Sequence, residues 1–339
     1  MKKWLSMLLA LTLTVMAAGC ATEQGDSVED KLVYMVTDIG GVDDASFNQS
    51  AWEGLKRFKD EIDGWTVNYI ESKSDEDYKP NLHAAVDSGA ELIWAIGYMM
   101  ADYLDRVALD YPDQKFAIID WGTEGDLREN VAYVLFRENE GSFLVGMIAG
   151  LTTESNIIGF VGGMEGDLIR RFEVGFQAGI NYVNPDAENL VQYAQSWTDR
   201  AKGKQIATTM IGQGADVIYH AAGGVGIGVA EACSNNRVWF IGVDKDQSEL
   251  APDYTLTSML KRVDSATYSI SKSLVDGDFP GGTLAHLGLA EDGVGYVQSE
   301  FISEQIITRV EEAKQKIIDG RLEVPDTLED LDSFDRTAQ

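Results

Sequence analysis

Cysteine is scarce in this chain: Cys20 and Cys233 are all it has, too few for a disulfide framework. Cys233 sits in a run of alanine and valine, where a buried, inert thiol is expected. Histidine is scarcer than usual too. His83, His220 and His286 stand far apart, and no H-x-x-x-H spacing offers a zinc site. Positive charge is in short supply: 27 Lys and Arg face 56 Asp and Glu, a net charge of −29. Such a surface repels nucleic acid and anionic headgroups and keeps a chain in solution. Only one long apolar run exists, Leu5 to Ala17, and it is shorter than the roughly 20 residues that span a bilayer. Internal repeats and low-complexity tracts are lacking.

What is present begins at the amino terminus. Lys2 and Lys3 precede the apolar run, which ends Ala17-Ala18-Gly19-Cys20. A charged start, a short apolar stretch and small residues before a cysteine resemble a lipoprotein signal, cut ahead of Cys20 and acylated on its thiol. Residues 1–19 are therefore read as a signal peptide, with Cys20 as the lipid-bearing residue. Residues 20–30 are acidic and without periodicity, as expected of a flexible tether. About 300 residues follow, more than one hydrophobic core usually serves, so two lobes are expected.

The remainder alternates short apolar runs with amphipathic stretches. Strands are expected at 32–37, 66–70, 92–95, 116–119 and 131–135, and a second series at 157–161, 190–193, 217–219 and 239–243. Helical stripes lie between them, such as Ala51, Leu55, Phe58 and Ile62, or Ile169, Phe172, Phe176 and Ile180. This alternation means parallel sheets covered by helices, and the break near Arg137–Glu140 divides them into two doubly wound lobes. Beyond Thr255 a strand at 256–260, a helix at 264–275, a strand at 293–297 and a late helical stripe from Ile306 fit a chain that crosses between lobes. The lobes are drawn as 31–137 with 261–278, and 138–260 with 279–325. Residues 326–339 are read as a frayed acidic tail.

Parallel sheets bind ligands beyond the carboxyl ends of their strands. The first strand is followed by Asp38 and two glycines, then Ser46-Phe47-Asn48-Gln49, which reads as an S-x-x-Q capping box opening a helix. Phe47 offers a ring face, and Asn48 a donor and an acceptor that match the edge of a heterocyclic base. Asp43 and Asp44 read as acids that solvate the loop. Asp120, Gly162-Gly163-Met164, Trp197, His220 with Gly223-Gly224, Asp244 and Lys261 follow later strands. Each has an ordinary explanation, because Asp caps helices and Gly closes turns; their convergence is harder to explain that way. His220 reads either as a donor behind a pocket or as a plain strand-end histidine.

The strings TDIGGVDDASFNQSAWEGL, SWTDRAKGKQIA, YHAAGGVGIGVAEAC, IGVDKDQ and LTSMLKRV resemble, in order, the landmarks of the basic membrane protein family of bacterial lipoproteins. The similarity covers essentially the whole mature chain, and the nearest members are purine nucleoside receptors of ABC importers. The resemblance implies the type I periplasmic-binding-protein fold: two α/β lobes, three crossovers and a ligand between them. It implies that Phe47 and Trp197 sandwich the base, although the family usually carries Phe at the second position. It implies that Asn48 and Asp120 address the base edge. Asp38, Asp244, Lys261 and a backbone group of Gly223 would hold the ribose. Met164 is added to the pocket from its loop alone. Vicinal hydroxyls suit paired carboxylates, and a lysine between them offsets their repulsion. The implied partners are a purine nucleoside, the permease and ATPase of an importer, and a membrane reached through the lipid. No cofactor, metal or nucleic acid is expected, and the chain is expected to be a monomer facing the periplasm or exterior.

Gly223 to Gly228, with Asp244 downstream, imitates a dinucleotide-binding turn, but Val229 stands where the third glycine of G-x-G-x-x-G belongs. The clustered acids Asp38, Asp43 and Asp44 suggest a nucleoside-processing enzyme. A sugar-responsive repressor would need a basic helix-turn-helix, and none precedes Lys31. A surface lipoprotein that only senses its ligand is not separated from a transport receptor by sequence.

Overall fold

A computed structural model describes residues 30–334, apart from 123, 124 and 126. Cys20, the signal segment and nearly all of the expected tether lie outside the described residues.

The first sheet holds β1 (Lys31–Val36), β2 (Trp65–Ile70), β3 (Leu92–Ile96), β4 (Lys115–Ile119) and β5 (Val131–Phe136). They are interleaved with α1 (Phe47–Glu61), α2 (Tyr78–Asp87) and α3 (Ala101–Asp110). Then α4 (Glu138–Thr152) carries the chain across to a second sheet. That sheet holds β6 (Ile157–Gly162), β7 (Glu188–Tyr193), β8 (Val217–Ala221), β9 (Trp239–Asp244) and β10 (Thr255–Lys261). Its helices are α5 (Asp167–Val183), α6 (Arg200–Gly212) and α7 (Val225–Asn236). The chain returns through α8 (Val263–Asp276) to β11 (Leu284–Leu287) in the first sheet, then crosses again to β12 (Val294–Tyr296), α9 (Glu304–Ile318) and α10 (Leu328–Ser333). The strand orders are β11-β5-β4-β3-β1-β2 and β12-β10-β9-β8-β6-β7. Every pairing is parallel except β10 with β12.

Burial explains the strand sequences. β3 is buried at every position and lacks alternation, as central strands covered on both faces do. The edge strands β2 and β7 are partly exposed and carry the polar residues Asn68 and Gln192. α4 shows no amphipathic stripe because it is buried on almost all sides, and its seam with α5 is closed by glycines. A Cβ on Gly146 would collide with the Phe176 carbonyl, and one on Gly179 with that of Phe143. This close seating sets Glu138 and Phe172, at the starts of the two helices, beside the site.

Three expectations need correction. Leu284–Leu287 pairs in parallel with Tyr133–Phe136, so 279–287 joins the first sheet rather than the second lobe. The tail is not frayed where it is described: Thr327 caps α10, and Phe334 packs 6.2 Å from Phe143. The capping box at Ser46 does not form. Asp44 accepts the backbone N–H groups of Ser46, Asn48 and Gln49 at 2.8, 2.9 and 3.1 Å, so it is a buried helix cap and not a solvated loop acid.

Candidate functional site

In the first sheet the order reverses between β1 and β3, and in the second between β6 and β8. Loops leaving such a point run to opposite sides and open a crevice. The two crevices face each other and enclose one cavity of about 570 Å³, counting its open mouth. Asp38, Phe47, Asn48 and Asp120 line it from the first sheet, and Trp197, Gly223, Asp244 and Lys261 from the second. Eight of the nine residues singled out from sequence therefore share one cavity. Met164 does not: it is half-buried, and Leu168 and Ile169 in the first turn of α5 occupy that wall.

Two carboxylates reach the cavity through unusual backbone. Asp120 and Asp244 lie at φ 66° and 69°, in the left-handed region. Aspartate tolerates that region better than most residues, and the strain is typical of sites where a side chain must be aimed. Asp120 places both oxygens 2.7 Å from Lys261 Nζ. The same ammonium lies 3.1 Å from Glu138, which is wholly buried and also accepts Arg171 Nε at 2.8 Å. Rings of Phe47, Phe136 and Phe172 surround Nζ at 5.1, 5.1 and 5.6 Å. Burial opposes the charge on Lys261, but Asp120, Glu138 and Asp244 outweigh it and hold its pKa above the usual range.

Asp38 accepts the N–H of Gly40 at 2.8 Å and Asn48 Nδ2 at 2.7 Å. The same amide nitrogen donates to Asp44 at 3.0 Å, while Asn48 Oδ1 accepts the Asp38 N–H at 3.3 Å. Asn48 is thus the clasp that orients Asp38. Asp244 accepts the hydroxyl of Ser46 from the opposite sheet. Trp197 packs against Gly163, where a Cβ would collide with Cζ3 and Cε3 of the indole.

Burial raises Asp38 to a pKa of about 7, with Asp44 and Asp120 adding to the shift against the Gly40 and Asn48 hydrogen bonds. Asp244 is likewise raised to about 7, chiefly by burial, against the pull of Lys261 and Ser46. Both groups bind protons in the folded state that the unfolded chain has released. Their stabilising contribution is therefore complete below the unfolded carboxylate range and is lost as pH rises through about 7. The ligand-free protein is expected to melt at a higher temperature at about pH 5.5 than at about pH 8. Asp38→Asn and Asp244→Asn should each flatten that slope in scanning calorimetry; an undiminished slope in both would show that other groups carry it.

The cavity contains residues that sequence reading missed. Tyr98 follows β3 and lines the first-sheet wall, and Phe172 lines the second. The strand-end Gly97 was a usable signal for the first. Glu138 does not line the cavity but holds Lys261 from behind, and it gave no signal, because its role depends on Arg171 and Lys261. Among the described residues, no cluster of His, Cys, Asp and Glu has metal-holding geometry, and no helix is long and apolar enough to cross a membrane.

Comparison with known proteins agrees with this architecture. Residues 31–328 match the family model described as ABC transporter substrate-binding protein PnrA-like. The CD4+ T-cell-stimulating antigen of Listeria innocua is 45% identical, over 95% of this chain and 97% of that protein. The ABC transporter nucleoside-binding protein BmpA of Lactococcus lactis is 38% identical, over 94% and 97%. A crystal structure of an ABC transporter solute-binding protein from Aeropyrum pernix superposes with a TM-score of 0.81 at 32% identity, covering 89% of this chain and 96% of that one. With the motifs, the two facing sheets and these matches in agreement, the chain belongs to the PnrA-like family of ABC transporter substrate-binding proteins, a family of binding proteins and not of enzymes.

Proposed function

We propose that this protein is the extracytoplasmic receptor of an ABC importer and that its cleft binds a purine nucleoside. The observation that carries this reading is one cavity holding two aromatic side chains, Phe47 and Trp197, from opposite sheets, beside Asp38, Asp244 and Lys261. Aromatic faces suit a flat base, and acceptors flanking a cation suit a ribose diol. The nucleoside-binding relative from Lactococcus lactis supports the same ligand class. In this reading Phe47 and Trp197 stack on the base, and Asp120 and Asn48 meet its edge. Asp38, Asp244, Lys261 and the backbone at Gly223 take the sugar. Two lobes, one built on each sheet, close over the ligand.

Trp197 supplies the test. Its fluorescence should quench when a purine nucleoside is added. Trp197→Ala should weaken binding by about 1–3 kcal/mol, the usual worth of one base–aromatic stack. An unchanged affinity by calorimetry would remove Trp197 from the site. Mass spectrometry of the small molecule released on denaturing the purified protein identifies the ligand directly, and a non-purine there would overturn the reading.

The membrane link is assigned to a lipid on Cys20, on the Ala17-Ala18-Gly19 sequence that comes immediately before it. Cys20→Ser should abolish incorporation of labelled fatty acid and leave unprocessed or soluble protein. Persistent labelling would refute the lipid assignment without touching the cleft.

A further inference from the structure

Behind the ligand-lining residues lies a buried polar group that faces the other sheet. Gln247 follows β9, is 3% exposed and does not line the cavity. Its Oε1 accepts the Val243 N–H at 2.9 Å and lies 2.8 Å from His220 Nε2. Its backbone N–H donates to Ser258 Oγ at 3.1 Å. Because Oε1 already accepts from Val243, the proton on the His220 contact must sit on His220 Nε2. The amide is then oriented one way only. Its Nε2 points across to the first sheet and donates to the carbonyl of Ala45 at 2.8 Å.

His220 is itself held in place. Its ring stacks on Phe240 at 5.4 Å, and a Cβ on Gly226 would collide with it from the α7 side. Burial lowers its pKa to about 4, so it stays neutral at physiological pH. A cation there would lose nothing in its donor role, but the neutral tautomer is the one that a wholly buried ring can keep.

Other groups cross between the sheets near this point. Lys245 meets Glu53 at 2.6 Å, but both are partly exposed, and such pairs contribute little. Ser46 meets Asp244, which belongs to the ligand set proposed above. Gln247 to Ala45 is a contact between uncharged groups, made by a buried side chain, that leaves the ligand groups free. Ala45 lies at φ 56°, immediately before the helix that carries Phe47 and Asn48. Holding its carbonyl therefore holds the first turn of α1 against the second sheet.

We propose that Gln247, oriented by His220, is a positioning residue that bridges the two lobes and slows ligand release. The inference rests on the reading of the cleft as the ligand site. A bridge that holds the lobes closed must break before ligand escapes, and without ligand it biases the lobes toward closure.

The test compares the unmodified protein with Gln247→Glu and Gln247→Met, using guanosine, inosine or adenosine in stopped-flow fluorescence and small-angle scattering without ligand. Gln247→Glu sets a carboxylate oxygen against the Ala45 carbonyl. Gln247→Met keeps the volume and cannot strand a charge, so it serves if the first variant folds poorly. Dissociation is expected to quicken by about tenfold or more, with association unchanged or faster. The ligand-free variants should have a larger radius of gyration than the unmodified protein. Unchanged dissociation with equal radii, or a loss confined to association, overturns the bridge. If the unmodified protein binds none of guanosine, inosine and adenosine, the nucleoside reading fails instead, and the bridge is then decided by the radii alone: equal radii overturn it.

Discussion

Replacing Lys261 with methionine is expected to destabilise the protein by about 3–5 kcal/mol and to abolish ligand binding. Lys261 is 1% exposed, and its ammonium touches Asp120 through both carboxylate oxygens at 2.7 Å and Glu138 at 3.1 Å. Among the described residues, removing the cation leaves Asp120 buried with no other cation in contact, while Glu138 keeps only Arg171. The surviving carboxylate must then take up a proton or admit water, and either costs stability. Urea unfolding monitored by circular dichroism measures the loss. Lys261→Met with Asp120→Asn should recover part of it, because the stranded charge is gone, yet should not recover binding. A single variant as stable as the unmodified protein would mean that Lys261 is no counter-ion, and it would leave the sugar contact as its only role.

Nucleosides are expected to bind at least about 10³-fold more tightly than their 5′-monophosphates, which corresponds to about 4 kcal/mol. The cavity wall carries Asp38, Asp44, Asp120 and Asp244, the first and last raised by burial to a pKa of about 7, against Lys261, whose charge is already engaged by Asp120. A phosphate entering a closing cleft would shed water without gaining a cation, and the net charge of −29 opposes its approach. One feature argues the other way. The first turn of α7 opens on the cavity at Gly223 and Gly224, and helix N-termini do receive phosphates. No Lys or Arg lies between Asp216 and Asn236, however, and His220 is neutral at physiological pH because burial lowers its pKa to about 4. Calorimetry of guanosine, inosine and adenosine against their monophosphates at matched salt decides the matter. Tighter monophosphate binding would recast the glycine turn as a phosphate cradle.

Much of this protein is legible without coordinates. Central strands such as β3 and β6 are continuous apolar runs bounded by glycine or polar residues, and both series of strands can be read in order. Eight of the nine residues singled out line one cavity, because a parallel sheet sends the residues that follow its strands to the same edge. Met164 does not follow that logic: Leu168 and Ile169 line that wall instead. α4 escaped a periodicity reading because a helix buried on nearly all sides has no stripe.

By itself, then, the order of residues determined the two sheets, their helices and the edge where the site must lie. These depend on hydrophobic period and turn chemistry, which act over a few residues. Tertiary structure alone decided the pairings between distant groups. Ser46 looked like a helix cap, but its hydroxyl went to Asp244 and the cap fell to Asp44. Glu138 became the second carboxylate on Lys261, and Leu284–Leu287 joined the sheet of β5. Local sequence offers each polar group several partners of similar worth. Burial removes water as an alternative, and the arrangement that leaves the fewest charges and donors stranded is the one the fold adopts.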